Sequence, residues 1–360
     1  MSCDILITGT GMFAGRIALD IASTAKSPVN IVIAGRNKMR LNWLKTAGNA
    51  RAAMFATPAR FSTIEVDMVA DGASDKLLEA CDPRIVVQAA SIQTSTVISD
   101  KGNRWTQLVA DGGLSATAVF QSLISTRMAA AISRRKNRPL LINCPFPDVV
   151  NGIIKAMGHD VLCGTGNVAI LSNVFAGAYK GGKSEPLRVI AHYQCLSAWR
   201  KPPEERSGAI APLVYVGDQQ LDNVFTTFEQ CQLTPEPAIE ISGASGVTLI
   251  LALAAGTSWS GHAPGPDGLP GGYPVRLENN RLVLDLPNSI SKEEAIAWNS
   301  RFEQTGGLVV EDQAVQYKGR LKDLLEDEKF QYSGGFDVKD LETVCADMIR
   351  LRDRLMRENT

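Results

Sequence analysis

The sequence predicts an α/β protein with a doubly wound parallel sheet in its N-terminal part and a second α+β domain with a mixed or antiparallel sheet after it. Short apolar runs alternate with helical patterns up to about residue 144, and longer strand patterns follow. The chain has 360 residues, which exceeds one average domain. We expect a first domain over residues 1–146 and a second over residues 147–360, with C-terminal helices packing back on the body.

The strand candidates of the first domain are short and rich in Val and Ile, as is typical of parallel strands buried on both faces. They are residues 5–8, 30–34, 62–66, 85–89 and 140–143. Helical patterns over residues 12–25 and 114–134 lie between them. Strands and helices that alternate at these lengths imply right-handed crossovers and one doubly wound sheet.

The second domain starts with a helical pattern over residues 148–157, after the punctuation of Pro145 and Pro147. Its strand candidates are residues 187–197, 211–216, 274–277 and 282–286. Residues 278–281 are typical of a hairpin connection, and residues 290–302 and 341–356 predict amphipathic helices.

Composition excludes several classes of partner. The chain has 37 Lys and Arg against 38 Asp and Glu, for a net charge of -1, so we expect neither nucleic acid nor an anionic membrane as a partner. The longest strongly apolar run, residues 247–255, is too short for a transmembrane helix. Seven scattered Cys without a Cys-x-x-Cys pair, three His and no recognisable signal peptide predict reduced thiols, no metal site and a cytoplasmic protein.

The first strand candidate is followed by a glycine-rich turn and then at once by a helical pattern. The turn reads Gly9-Thr10-Gly11-Met12-Phe13-Ala14, a Gly-x-Gly-x-x-Ala form of the dinucleotide fingerprint. In this motif the first glycine allows the tight turn, the second allows the backbone to approach a pyrophosphate, and the alanine keeps helix and strand close. The helix N-terminus offers free N–H groups to the phosphates. We expect a nucleotide-binding Rossmann domain, with an empty Rossmann domain as the alternative.

The end of the second strand predicts which dinucleotide binds. It reads Gly35-Arg36-Asn37, without the carboxylate that binds the ribose 2′-hydroxyl of NAD. The guanidinium of Arg36 suits a 2′-phosphate, with Lys38 or Arg40 in reserve. We therefore expect NADP, although a solvated basic helix start would have the same composition.

Residues at three further strand ends are candidates to line the cofactor. Asp67 follows the third strand, where it can meet the adenine or cap a helix. Ala89, Ala90 and Ser91 follow the fourth strand, where small side chains let the backbone pass close to the nicotinamide ribose. Asn143 and Cys144 end the fifth strand, beside the expected nicotinamide ring. Cys144 is also a candidate nucleophile, with a small packing residue as the ordinary alternative.

The second domain supplies candidate substrate residues. If residues 187–197 form a strand, His192, Gln194 and Trp199 share a face that covers the nicotinamide, and His192 can exchange a proton with the substrate. His192 can equally be a structural residue. The segment from Gly261 to Pro274, with His262 and Tyr273, is dense in Gly and Pro and is either a lid over the site or an irregular connector.

The first 150 residues or so resemble the saccharopine dehydrogenase-like group of NAD(P)-binding oxidoreductases. The residues that carry the resemblance are 5–15, 33–37, Asp67 and the small-residue turn after the fourth strand. The resemblance implies a C-terminal α+β domain whose sheet roofs the active site, and a homodimer. It also implies reduction of C=N, C=O or C=C bonds.

Taken together, these features predict an NADP-dependent oxidoreductase that transfers a hydride to or from a small carbonyl or imine substrate, an amino-acid or keto-acid derivative. One alternative is an NADP-binding regulatory or sensor protein without turnover. Another is a semialdehyde dehydrogenase that uses Cys144 as its nucleophile.

Overall fold

The computed structural model describes residues 3–93, 102–181, 185–233 and 238–358. Its largest sheet has six strands in the order β3-β2-β1-β4-β5-β6, and every neighbouring pair is parallel. The strands are Ile5–Thr8 (β1), Val29–Gly35 (β2), Ala59–Glu65 (β3), Ile85–Gln88 (β4), Leu140–Asn143 (β5) and Cys163–Gly164 (β6). The strand order reverses between β1 and β4, which is the place where such sheets open a ligand crevice.

Helices cover both faces of this sheet. They are Met12–Thr24 (α1), Lys38–Met54 (α2), Ala73–Cys81 (α3), Arg104–Gly112 (α4), Ala118–Ser133 (α5) and Pro147–Ala156 (α6). Because side chains alternate along a strand, Ile5 and Ile7 pack in the same apolar cluster as α1 and α2, whereas Leu6 packs in the cluster that contains α5. The prediction of a doubly wound parallel sheet is confirmed.

The sixth strand lies beyond residue 146. In this strand Gly164 pairs with Asn143 at the edge of the sheet. Helix α6 is therefore the crossover between β5 and β6. A strand of two residues carries no apolar run of its own, so the sequence pattern does not reveal it.

The rest of the described chain contributes three antiparallel sheets of three strands each, in the orders β7-β8-β9, β10-β11-β12 and β13-β14-β15. Their strands are Leu187–Ile190 (β7), Leu213–Val216 (β8), Gln219–Gln220 (β9), Trp259–Pro264 (β10), Gly272–Glu278 (β11), Arg281–Leu284 (β12), Leu308–Glu311 (β13), Ala314–Tyr317 (β14) and Phe336–Asp337 (β15). The predicted hairpin around residues 278–281 is confirmed as the β11–β12 connection.

The α-helices after β6 include several short ones. They are Val168–Ala178 (α7), Leu196–Trp199 (α8), Val224–Thr227 (α9), Ile239–Ser242 (α10), Val247–Ala255 (α11), Lys292–Thr305 (α12), Gly319–Asp327 (α13) and Leu341–Leu355 (α14). Single turns of 3-10 helix occur at Leu114–Thr117, Tyr193–Cys195, Pro203–Glu205, Ala244–Gly246, Pro266–Gly268 and Val338–Asp340. Helix α14 packs against α5, with the guanidinium of Arg352 5.1 Å from the ring centre of Phe120.

The strand predicted over residues 187–197 is wrong beyond Ile190. The chain turns there into the 3-10 helix Tyr193–Cys195 and then into α8. The turn begins where Nδ1 of His192 accepts a hydrogen bond from the backbone N–H of Gln194 over 3.4 Å. His192, Gln194 and Trp199 therefore do not share a strand face. A side chain that accepts a hydrogen bond from a nearby backbone N–H competes with the backbone hydrogen bonds of a β-sheet, and here it favours the turn.

Half of the Gly- and Pro-rich segment from Gly261 to Pro274 belongs to strands β10 and β11. Its connection is held against α6, because Nδ2 of Asn151 donates to the carbonyl of Gly265 over 2.9 Å and Lys155 pairs with Asp267 over 2.8 Å. Backbone N–H groups of Gly265 and Asp267 are also hydrogen-bonded. The segment is thus an ordered hairpin rather than an irregular connector.

Helices long and apolar enough to span a bilayer do not occur in the ranges of the chain given above.

Candidate functional site

The glycine-rich turn lies between β1 and α1, at the crevice where the strand order reverses. Gly9 has a φ of +101°, and a Cβ at this position would lie 3.1 Å from the backbone of Ala89. Gly11 is the N-cap of α1 and has an ordinary φ of -71°. A Cβ at Gly11 would meet no atom within 4 Å among the described residues. The backbone therefore needs a glycine at position 9, whereas at position 11 the glycine leaves open space.

The N-terminus of α1 is available to an anion. None of the described side chains caps it, and its first turn contains no acidic residue. The backbone N–H groups at a free helix start and the helix dipole favour a phosphate. Ala14 is buried against the sheet, while Met12 is exposed and Phe13 is half-buried.

Basic side chains flank this turn on the side of β2. Arg36 is exposed and makes no hydrogen bond or ion pair with any described residue. Arg40 donates from Nε to the carbonyl of Thr10 over 3.3 Å. Asn37 caps α2, because its side chain accepts from the N–H of Arg40 over 3.0 Å. Gly35 lies against the same turn, since a Cβ there would be 2.8 Å from Cγ2 of Thr10.

The segments after β3 and β4 lie at the same edge of the sheet. Asp67 is exposed and accepts a hydrogen bond from the N–H of Val69 over 3.1 Å, which closes a turn. Ala90 and Ser91 are half-buried, and the backbone of Ala89 and Ala90 borders Gly9. The structure thus brings together the predicted residues that follow β1, β2 and β4.

Asn143 is enclosed instead of open to a ligand. Its side chain is fully buried; Oδ1 accepts from the hydroxyl of Ser125 over 2.7 Å. Nδ2 donates to the carbonyl of Pro145 over 3.1 Å and to Oδ1 of Asn151 over 2.9 Å. The amide positions the strand end by these three contacts.

Cys144 lacks the environment of an activated thiolate. Burial raises the pKa of its thiol to about 12, against a hydrogen bond from Thr165 that lowers it. A catalytic cysteine needs a lowered pKa, because the thiolate is the nucleophile. The raised pKa therefore does not favour the expected role of Cys144 as a nucleophile.

His192 is buried, and its ring stacks on that of Phe302 with centres 5.3 Å apart. Burial lowers the pKa of His192 to about 3, so the imidazole is neutral near pH 7. Since Nδ1 accepts a hydrogen bond, Nε2 carries the hydrogen, and it has no partner among the described residues. Gln194 donates from Nε2 to the carbonyl of Phe302 over 3.0 Å.

The other predicted substrate residues are committed to the interior. Nε2 of His262 accepts from the N–H of Val189 over 2.9 Å, and burial lowers the pKa of His262 to about 3. Tyr273 is fully buried and donates its hydroxyl to the carbonyl of Pro270 over 2.6 Å. Trp199 is fully buried against Phe175, with ring centres 5.0 Å apart. Trp199 therefore does not form a wall of an open pocket.

Two acidic residues that the sequence interpretation did not assign to the site lie near His192. Asp148, in the first turn of α6, is 1% exposed. Glu303, on α12, is half-buried. Burial raises the pKa of Asp148 to about 7, and burial followed by the charge of Asp148 raises that of Glu303 to about 8. The sequence position of Asp148, just after the end of the fifth strand, could have indicated that it belongs to the site. No comparable sequence signal marks Glu303, which lies in an ordinary amphipathic helix pattern.

Groups of three or more His, Cys, Asp or Glu side chains that could hold a metal ion are not found where the chain is described.

Comparison with known proteins shows a likeness in fold only. No protein-family model matches the chain, and no curated protein matches it. Lactate dehydrogenase from Eimeria maxima, solved with NADH and oxamate, aligns at a TM-score of 0.52 and 11% identity, over 85% of this chain and 94% of that one. The two chains therefore share a fold.

Two further solved structures align less well. Malate dehydrogenase from Cryptosporidium parvum has a TM-score of 0.45 and 14% identity, over 85% of this chain and 98% of that one. Lactate dehydrogenase from the same organism, complexed with lactic acid and nicotinamide adenine dinucleotide, has a TM-score of 0.48 and 13% identity, over 97% and 98% of the two chains.

Proposed function

We propose that the protein is an NADP-dependent oxidoreductase that acts on a small carbonyl or imine compound, an amino-acid or keto-acid derivative. The observation that carries the proposal is the uncapped N-terminus of α1 with open space at Gly11, in the crevice between β1 and β4. The fold shared with the Eimeria maxima enzyme, which was solved with NADH, supports a dinucleotide in this crevice.

The residues at the crevice fit the parts of the cofactor. The N–H groups at the start of α1 would bind the pyrophosphate, and the small residues Ala89 to Ser91 would allow a close approach of the ribose. Arg36 is free to form charge-assisted hydrogen bonds with a 2′-phosphate, and this supports NADP in preference to NAD.

The chemistry follows from these positions. NADPH, when bound, supplies a hydride to an electrophilic carbon. The chain's own residues must orient the substrate beside the ends of β4 and β5, exclude water and provide a proton to the oxygen or nitrogen. His192 is a poor proton donor, because its low pKa keeps it neutral.

We extend the proposal to membership of the saccharopine dehydrogenase-like group, a homodimer and a cytoplasmic location. The first two rest on the resemblance of the glycine-rich turn and the following strands. The third is supported by seven free cysteines, as expected in a reducing compartment.

Calorimetric titration of NADPH into the wild type and into Gly11→Val tests the proposal. A Cβ has room at this position and the backbone conformation is allowed, so the free energy of unfolding should fall by no more than about 2 kcal/mol, the cost of a poor N-cap residue. Its side chain would occupy the pyrophosphate position, and we expect NADPH affinity to fall about 100-fold, roughly 2.7 kcal/mol. Gly9→Ala is the control that should destabilise the fold, because of its positive φ and close contact.

Unchanged NADPH affinity in a folded Gly11→Val protein would contradict the assignment of the crevice. Turnover is then measured as NADPH oxidation with pyruvate, with and without methylamine. Binding without any oxidation would favour the sensor alternative.

A further inference from the structure

Two carboxyl groups near His192 have no cationic partner. Oδ2 of Asp148 accepts a hydrogen bond from Nδ2 of Asn167, whereas Oδ1 is buried and has no partner in the part of the chain that the structure describes. Glu303 makes no hydrogen bond or ion pair with a described residue. A buried carboxyl without a cation is costly as an anion, so each group favours the protonated state.

Contacts between three segments bring these carboxyls to one place. The ring of Tyr193 lies 4.9 Å from that of Phe146, two residues before Asp148. The ring of His192 lies 4.4 Å from that of Tyr193 and stacks on Phe302, the neighbour of Glu303. The start of α6, the Tyr193 turn and α12 therefore form a continuous cluster beside the end of β5.

A further unpartnered atom belongs to the same cluster. Asn299, one helical turn before Glu303, is fully buried and its Oδ1 has no hydrogen-bond partner among the residues described. Its Nδ2 donates to the carbonyl of Gly272 over 3.3 Å. Buried polar atoms are nearly always paired, so unpaired atoms on Asp148, His192 and Asn299 indicate a place for a polar ligand or water.

The other titratable groups around the two carboxyls supply no positive charge. Burial raises the pKa of Tyr193 and Tyr273, and it raises that of Cys195 to about 12. Burial, the charge of Asp148 and the charge of Glu311 all raise the pKa of Glu303. Neither Lys nor Arg is among the charges that act on Asp148 or Glu303. Burial and mutual repulsion therefore shift this pair towards the protonated state.

We propose that Asp148 donates the proton of the reaction and that Glu303 replaces it from solvent. This inference rests on the proposed function. As the hydride reaches the carbon of the C=O or C=N bond, the proton of Asp148 passes to the oxygen or nitrogen. Asp148 is left as a carboxylate, takes a proton from the Glu303 carboxyl, and Glu303 regains one from water. The products are the alcohol or amine and NADP⁺, so that one hydride and one proton are consumed.

Infrared titration of the intact protein tests whether the pair holds the proton. In the wild type the protonated-carboxyl band should persist to about pH 7, where ordinary carboxyls are ionised. Asp148→Asn and Glu303→Gln should each remove part of the band, and Asp148→Asn should also lower the titration midpoint of Glu303. The control Glu79→Gln, at an exposed position on α3, should leave the band unchanged. A band that disappears below about pH 5 in the wild type overturns the proposal.

Kinetics test whether the proton enters the reaction. With pyruvate, alone or with methylamine, Asp148→Asn should lower kcat about 100-fold or more, while its NADPH dissociation constant stays within about threefold. Glu303→Gln should lower kcat about tenfold and recover when formate is added as a small proton donor, whereas a merely structural defect would not recover.

The outcomes separate this inference from the proposed function. A wild-type kcat in Asp148→Asn, or a Glu303→Gln defect that formate does not change, overturns the proton pathway while leaving the cofactor assignment intact. A wild type that binds NADPH and oxidises it with neither probe also overturns the inference. Failure of the wild type to bind NADPH overturns the proposed function itself.

Discussion

Asn143 donates a hydrogen bond from Nδ2 to Oδ1 of Asn151 over 2.9 Å, and this contact ties the end of β5 to α6. Both side chains are fully buried. Ser125 extends the contact to α5, and Asn151 extends it to the carbonyl of Gly265 in the β10–β11 connection. A continuous polar chain therefore links the carboxyl edge of the parallel sheet to an antiparallel sheet, beside the candidate site.

Replacement of Asn143 should destabilise the fold. Asn143→Ala removes three buried hydrogen bonds and leaves their partners unpaired, which should cost about 2 to 4 kcal/mol of unfolding free energy. Urea denaturation measures the loss. The control Asn137→Ala, at an exposed position, should stay within about 0.5 kcal/mol of the wild type. An equally small change for Asn143→Ala would show that these hydrogen bonds contribute little to the stability of the fold.

Arg36 should determine the preference between cofactors. Charge-assisted hydrogen bonds are worth about 1.5 to 3 kcal/mol, so Arg36→Ala should reduce the NADPH to NADH affinity ratio by about 10- to 100-fold. NADH affinity should change little, and Arg40 can compensate in part. Calorimetry of both cofactors measures the ratio, with Lys26→Ala, another exposed cation, as control. A wild type that binds NADH more tightly than NADPH refutes the choice of NADP.

Stability should fall as the pH rises through the range in which Asp148 and Glu303 titrate. Their folded-state pKa values, about 7 and about 8, lie above the ordinary ones, so the folded state keeps protons that the unfolded chain has released. The stabilisation is fully present below about pH 4, the pKa of these groups in the unfolded chain. It is lost as the pH rises from there to the folded-state pKa, at no more than about 1.4 kcal/mol per pH unit for each group.

Denaturation at pH 5 and pH 8 checks this sign. Asp148→Asn has no titrating group at position 148. Between the two pH values it should therefore lose less unfolding free energy than the wild type. Glu79→Gln should follow the wild type, because it lies at an exposed position. A steeper loss in Asp148→Asn would mean that Asp148 is ionised in the folded protein.

Cys144 should react slowly with alkylating reagents. With a pKa of about 12, its thiolate fraction at pH 7 is roughly a thousandfold below that of a free cysteine. Peptide mapping after iodoacetamide treatment measures the alkylation rate of Cys144. The same measurement on the protein unfolded in guanidinium chloride gives the rate for the exposed thiol. Cys144→Ser should keep NADPH oxidation with at most a moderate change. Fast labelling, or complete loss of turnover with intact cofactor affinity, would restore Cys144 as a nucleophile.

The first five strands of the parallel sheet were accessible to prediction because their signals are local. The predicted strands over residues 5–8 and 140–143 match β1 and β5, and α1 begins at the predicted Met12. Their short length and their content of Val and Ile indicate strands buried on both faces, and the glycine-rich turn after β1 marks the junction with α1.

The part of the chain after β6 was less accessible to prediction. The alternation from Leu187 predicted a long strand, but the structure ends it at Ile190, where His192 caps a turn. Residues that alternate between apolar and polar can also be buried in short helical turns, where each apolar side chain packs against a different neighbour. Trp199, for example, packs against Phe175.

By itself, the sequence determined where the first five parallel strands lie along the chain, the glycine-rich turn and the basic residues beside it, because each depends on neighbours a few positions apart. Only the tertiary structure decided that β6 completes the sheet, that Asn143 is turned inward, and that Asp148 and Glu303 share one cluster. These outcomes depend on contacts between residues far apart in the chain. The protonation of a carboxyl depends on the water and the charges that such contacts remove or supply, and no local pattern encodes them.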